Sequence, residues 1–332
     1  NLGSEEEISK NTWEHTVNSI FNSNTENIML EYTATVDLNN PAINEKYQDK
    51  IIYDYTLKQF RQDGFSKEVK VLQADLLELD RALQAVILSQ YRRKIAEKHK
   101  IHLKPVILMK SRTIAESKGI EEKFYGKIKN LKASDIEKIK LHSKGNILEK
   151  AFNYFKKENI TTGNLIAELK EDFSEEKCIS VNSQDESDEK QLLVNSLEDK
   201  NNEIRCIFAV DKLNEGWDVL NLFDIVRLYD TRDSKGNRPG RTTMAEAQLI
   251  GRGARYYPFR LNEEDKFRRK FDQEPDSDLK VIEELYYHSL HNPRYIQELT
   301  IALKNTGIIP DEQKTIHLKV KDLLKETHFW KN

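Results

Sequence analysis

Apolar residues recur along this chain in two rhythms, short unbroken runs and longer stretches at helical spacing, and the two alternate for most of its length. Residues 67–71 and 104–109 (KPVILM) read as strands, as do 178–181, 204–210 (IRCIFAV) and 224–229 (DIVRLY). Each is compact, apolar and too short for a helix. Between them, residues 75–98 (DLLELDRALQAVILSQYRRKIAEK) keep apolar positions at helical spacing for about six turns. Residues 113–130, 191–197, 243–255 and 293–304 also read as helices. Residues 131–175 predict a charged helical insert broken at Gly145 and Gly163. Residues 279–290 fit a helix or a strand, and 315–320 a strand. Residues 25–37 (TENIMLEYTATVD) read as an apolar strand ending in a small-residue loop, with its partners expected upstream. Apolar strands alternating with helices predict an α/β fold, a parallel sheet covered by helices on both faces. Such sheets bind ligands in loops beyond the strand C-termini, and the distinctive segments described below are expected there.

Composition narrows the class. Of 332 residues, 38% are hydrophobic and 33% charged, which suits a folded chain with long solvated helices rather than disorder. The apolar runs fall far short of the roughly 20 residues a bilayer span needs, and no charged-then-apolar leader opens the chain, so a cytoplasmic protein without membrane contact is expected. Cys178 and Cys206 sit in apolar strand-like runs and read as buried free thiols rather than a disulfide. Net charge is −3, without a global signature of nucleic-acid binding, although residues 205–270 hold fourteen Lys/Arg against ten Asp/Glu.

Three segments carry candidate chemistry. After the strand IRCIFAV comes DKLNEGWDV (211–219), where Gly216 permits close backbone approach to a ligand and Asp218 offers an acceptor suited to a ribose hydroxyl. An ordinary strand-to-helix loop with a capping aspartate and a packed tryptophan accounts for the same residues. In EAQLIGRGARYY (246–257), Gln248, Arg252 and Arg255 are spaced i, i+4 and i+7, which predicts one helix face. Gly251 and Gly253 cost a helix about 1 kcal/mol each relative to alanine, so the backbone there must approach something closely. The planar, always charged guanidinium suits phosphate; a surface helix with salt-bridged arginines is the alternative. Finally, Thr33 and Thr35 flank Ala34 at the end of the first predicted strand, where two hydroxyls in a loop suit linking a nucleotide site to its surroundings by hydrogen bonds. A purely structural role, common for such tripeptides, is the alternative.

In this order the segments resemble superfamily 2 helicases and translocases. LEYTATVD (30–37) is similar to their motif III, PVILMKSRTIAES (105–117) to motif IV, AVDKLNEGWDV (209–219) to motif V and EAQLIGRGARYYPF (246–259) to motif VI. The wording of the last two is similar to type III restriction enzyme restriction subunits, with a resemblance running from about residue 30 to 259. It implies a RecA-like fold, with residues 1–40 as the tail of a first motor domain, 41–260 as the second, carrying the insert, and 261–332 as a small C-terminal extension. It further implies ATP and Mg²⁺ as cofactors, double-stranded DNA as partner, and a modification (methyltransferase) subunit alongside. By the same resemblance Thr33 and Thr35 couple hydrolysis to movement, and Ser111 and Arg112 lie near the DNA backbone. Gly216 and Asp218 contact nucleotide, while Gln248, Arg252 and Arg255 face the ATP phosphates with Arg255 as arginine finger. The sequence departs from a whole motor: no GxxxxGK[ST] segment occurs in it, no acidic DEAH-like segment follows a buried strand, and no nuclease carboxylate cluster stands out. ATP and Mg²⁺ are therefore expected through a first motor domain that this sequence lacks, and this chain alone is expected to catalyse nothing. A DNA-binding or assembly module without motor activity remains the alternative.

Overall fold

The computed structural model describes residues 13, 15–32, 38, 40–181, 188–210, 217, 219–230, 239–262 and 265–310. Contacts divide the chain into two units, 1–56 and 57–332. In the first unit residues 15–21 are helical and helix α1 spans Pro41–Tyr47. Asn40 caps α1, its side chain accepting the Ala42 N–H at 3.1 Å, and proline fills the first turn, where its missing N–H costs nothing. No described residue of this unit is buried. Residues 25–32, expected as a strand, form a turn and irregular backbone. Among the described residues of the unit this segment has no strand to pair with, and a lone strand has no ladder to hold it.

The second unit opens with α2 (Leu57–Gln62) and is built on six strands: β1 (Glu68–Ala74), β2 (Val106–Lys110), β3 (Cys178–Val181), β4 (Cys206–Ala209), β5 (Leu222–Arg227) and β6 (Glu284–Leu290). All pairings are parallel, in the order β1-β6-β5-β2-β4-β3. The inner strands β2, β4 and β5 are buried throughout, their alternate residues serving different cores, while β1 and β3 at the sheet's ends are only partly buried. Ile107, Met109, Cys206, Phe208 and Phe223 point into one core, with α3 (Glu78–Lys98) and α4 (Ile114–Lys129). Val106, Leu108, Ile207, Ile225, Leu285 and Tyr287 point into the other, with α9 (Arg241–Gly253) and α10 (Pro293–Asn305). This is the α/β fold that the sequence pattern predicted, a parallel sheet with helices on both faces.

The insert is helical as expected, comprising α5 (Ala133–Leu141), α6 (Ile147–Lys157) and α7 (Thr162–Asp172), and it packs on α3. Squeezed between insert and sheet, α3 is buried almost all round its middle, including Arg92. Arg92 donates to Asp224 on β5 at 2.6 Å, and His288 on β6 meets the other Asp224 oxygen at 2.9 Å. Helix α4 starts with a capping box in which Thr113 accepts the Glu116 N–H and the Glu116 carboxylate accepts that of Thr113. Helix α8 spans Asp188–Asn195.

Two expected boundaries differ. The contact division falls after residue 56 rather than 40. Residues 284–290, expected within a separate extension, form β6 and lie inside the sheet between β1 and β5. Strand order is a long-range property that local pattern does not carry, so a late strand inserted beside the first is invisible to periodicity. The strand expected at 315–320 lies outside the described residues.

Candidate functional site

Helix α9 holds residues 246–253 of the segment similar to motif VI. Its first turn is fixed by Glu298 of α10, which accepts the Gly240 N–H at 2.7 Å and the Thr243 hydroxyl at 2.8 Å. Thr243, Glu246, Ala247, Leu249, Ile250 and Gly253 face inward, leaving Gln248 exposed and Arg252, one turn later, half-buried. Arg255 is not on this helix. The helix stops at Gly253, and Arg255 sits in extended chain in an antiparallel bridge with Ser66. The expected continuous face therefore contains Gln248 and Arg252, with Arg255 displaced onto the strand-like segment that follows.

What stops the helix is Lys67. Its buried ammonium donates to the carbonyls of Leu220 (2.7 Å), Leu222 (2.8 Å) and Gly253 (3.0 Å). Its backbone N–H donates to Ala254. A cation at a helix C-terminus satisfies orphan carbonyls and opposes the helix dipole. Burial, together with the nearby Arg92 guanidinium, pushes the Lys67 pKa well below the ordinary lysine value. Nothing in the sequence pattern marked Lys67, which reads as the charged entry to a strand.

The two glycines have a packing role. A Cβ on Gly253 would lie 3.1 Å from Leu222 and 3.2 Å from Leu285, and one on Gly251 would lie 2.9 Å from the Ile308 terminal methyl. The close approach inferred from sequence exists, but to the start of β5 and β6 and to the chain after α10. Glycine here lets the helix settle on the sheet.

This packing places Arg252 and Arg255 at the edge where β5, β6 and β1 begin. The expectation that all candidate segments lie beyond the strand C-termini is thus corrected. The loop after β4 leaves from the C-terminal edge, and its later residues Trp217 and Val219 lie just before β5, at the N-terminal edge. Arg252 donates to the Trp217 carbonyl at 3.3 Å, joining motif VI to the motif V segment. Trp217 is buried, its indole N–H donating to the Val194 carbonyl at 3.1 Å, so the packed tryptophan reading is also satisfied. Gly216 and Asp218, the residues on either side of it, and Thr33 and Thr35 lie outside the described residues.

Ser111 and Arg112 are at the opposite edge, directly after β2. Ser111 is buried with its N–H donating to Ala209, and Arg112 is exposed. With five residues in β2 at a rise of about 3.3 Å each, the two edges stand roughly 15 Å apart. The structure therefore brings Arg252, Trp217 and Arg255 to one edge and does not bring Ser111 or Arg112 to them.

Glu246, the first residue of the motif VI match, faces the interior. It accepts from Arg227 (2.8 Å) and Tyr295 (2.7 Å) and also from Tyr229, while the Arg227 guanidinium lies 4.2 Å and 4.1 Å from the Tyr229 and Tyr295 ring centres. Burial and Glu246 raise the Tyr229 pKa, and burial of Arg227 is outweighed by Glu246 and the tyrosines, which keep it a firm cation. The group ties β5, α9 and α10 together at the C-terminal end of β5, at the opposite edge from Arg252 and Arg255.

Chemically, the N-terminal edge offers guanidinium donors suited to phosphate oxygens. Among the described residues no group of three His, Cys, Asp or Glu side chains is placed to hold a metal ion. Among them also, no helix is long and apolar enough to cross a membrane.

Comparison with known proteins places these features in a family context. The chain is 36% identical over 258 residues to the probable type III restriction-modification enzyme HindVIP Res subunit of Haemophilus influenzae, covering 70% of this chain and 50% of that subunit. By sequence the chain is a homologue of a type III restriction subunit. This restriction-subunit homologue spans half the length of that relative. It is also 40% identical over 81 residues to an uncharacterized protein of the same organism, covering 24% of the chain and 18% of that protein. A family model described as HI_1054_N, N-terminal region, matches residues 242–312, from α9 past the end of α10. Among solved structures, S. cerevisiae Dbp5 bound to RNA and ADP BeF3 covers 84% of this chain and 49% of its own at 12% identity and a TM-score of 0.38. A fragment of a putative HsdR subunit of a type I restriction enzyme from Vibrio vulnificus YJ016 covers 77% and 42%, at 12% identity and a TM-score of 0.33.

Proposed function

We propose that this chain is the C-terminal motor half of an ATP-dependent DNA translocase in a type III restriction enzyme. The observation that carries the reading is the contact between Arg252 and the Trp217 carbonyl. Two segments 35 residues apart, each similar to a helicase motif, meet at one sheet edge with Arg255 in the adjoining strand segment. Arginines fixed at such an edge match what a transferred phosphoryl group requires, donors already in place where negative charge develops.

In this reading ATP and its Mg²⁺ are held mainly by a first motor domain, and this chain presents Arg252 and Arg255 to the phosphates, with Gln248 on the same helix face as Arg252. Gly216 and Asp218 flank Trp217 and serve the nucleotide from the motif V loop. Ser111 and Arg112 serve double-stranded DNA at the opposite edge, and Thr33 and Thr35 link the two motor domains. Separation of the two edges by the sheet lets one rigid body carry a nucleotide face and a DNA face, so closure on nucleotide displaces the DNA face as a unit. A modification subunit completes the enzyme.

The test compares ATP hydrolysis with and without duplex DNA for this chain and for the protein extended to the full length of its relatives. The extended protein is expected to show DNA-stimulated hydrolysis and the 332-residue chain none. DNA-stimulated hydrolysis by the chain alone overturns the division of labour. Salt-dependent DNA binding indifferent to ATP, with no hydrolysis in the extended protein, replaces the motor with a binding module.

A further inference from the structure

Cys178 opens β3 and Cys206 opens β4, and the two residues are direct partners in the parallel register. Direct partners on neighbouring parallel strands project to the same face, and here both pack into the core under α3 and α4. Neighbouring strands lie about 4.8 Å apart, inside the roughly 4.4–6.8 Å Cα separation that a disulfide spans. Among the described residues β3 ends the sheet. Cys178 is partly exposed there, while Cys206 is fully buried. The Cys178 thiol lies 3.8 Å from the Phe173 carbonyl, at the exit of the helical insert.

We propose that Cys178 and Cys206 form a thiol modification site, a reversible cross-strand disulfide closed by exchange with a low-molecular-weight disulfide. The Cys178 thiolate attacks one sulfur of the small disulfide, forming a mixed disulfide and expelling one small thiolate. The Cys206 thiolate then attacks Cys178 Sγ, forming the Cys178–Cys206 bond and expelling the second. The chain loses two electrons and two protons, and the small disulfide is reduced to two thiols. The order follows from access: an oxidant reaches the edge strand first, and burial, reinforced by the neighbouring Cys178, pushes the Cys206 thiol pKa up, leaving it the resolving partner. Closure fastens the edge strand, and with it the end of the insert, to the neighbouring strand β4. A bond between directly paired strands forces the backbones from their relaxed geometry, which favours easy reduction. The site is independent of the reading of the arginines, because it lies on another part of the sheet and needs no nucleotide.

The experiment incubates the folded 332-residue chain with oxidised glutathione and reads intact mass and a peptide map. The expected product is lighter by about 2 Da, two hydrogens, with residues 178 and 206 in one cross-linked peptide and full reversal by dithiothreitol. The Cys206→Ala chain should instead retain glutathione on Cys178, which separates reactivity of the first thiol from closure of the pair. Persistent glutathione on Cys178 of the unsubstituted chain without a cross-link, or two thiols that stay free while folded, overturns the proposal.

Discussion

Gly251 and Gly253 show how a correct physical inference leads to a wrong partner. Their helix cost demands close approach, but the approaching groups are Leu222, Leu285 and Ile308. The two positions should respond differently to alanine. At Gly253 the new methyl meets two leucines near 3.2 Å within a packed core, so Gly253→Ala should destabilise by about 1–3 kcal/mol. At Gly251 it meets only the tip of Ile308, which can rotate away, and the gain of about 1 kcal/mol in helix propensity offsets the contact. Denaturant unfolding of both variants checks this; equal loss at both positions would show that Ile308 does not give way and would overturn the distinction. Other residues were legible only after folding. Lys67 became visible as a helix stop once three carbonyls from two distant segments surrounded it, and Arg255 left its expected helix face because that stop intervenes.

At the scale of elements, apolar runs and helical spacing located most strands and helices. β3 falls on the expected residues, and the helix expected at 113–130 is Ile114–Lys129 with Thr113 and Asn130 as its caps. Local chemistry decides such cases: a compact buried run, or a threonine with a glutamate three residues on. Pairing depends instead on distant segments, and the position of β6, the partnering of Cys178 with Cys206 and the clamp between residues 61–66 and 269–272 escaped the sequence for that reason. In that clamp Arg269 donates to the Arg61 and Ser66 carbonyls and to Asp272, and Lys280 adds a second cation to Asp272 at 2.9 Å. The turn needs Gly64, whose φ is +84° and whose missing Cβ leaves room for the Arg269 backbone. Partial burial works against the Asp272 carboxylate, yet Arg269 and Lys280 prevail and hold its pKa down to about 2, against 3.8 in a free chain. A depressed carboxylate contributes stability above its unfolded pKa that disappears as pH falls through the folded value. Thermal midpoints of the unsubstituted chain should therefore drop between about pH 4 and pH 2, and Asp272→Asn should flatten part of that fall. An unchanged acid limb in the variant would remove Asp272 from the account.

For the whole molecule, fold class was legible because a parallel sheet buried on both faces leaves unbroken apolar strands separated by helices. The site was legible only as segments. That the loop residue Trp217 meets Arg252, and that Ser111 and Arg112 stand at the far edge, follows from chain direction through the sheet, which no motif states. The layout, Arg252 and Arg255 at one edge and Ser111 and Arg112 at the other, is the one through which the proposed motor half would couple two ligands. The most direct measurement is DNA-stimulated ATP hydrolysis by the extended protein and by its Arg255→Ala variant, with nucleotide binding followed in parallel. The account predicts a fall on the order of 10³-fold in rate with binding largely kept, as for loss of an arginine that acts on the transferring phosphoryl group. Hydrolysis undiminished in the variant would contradict it and remove Arg255 from the catalytic role.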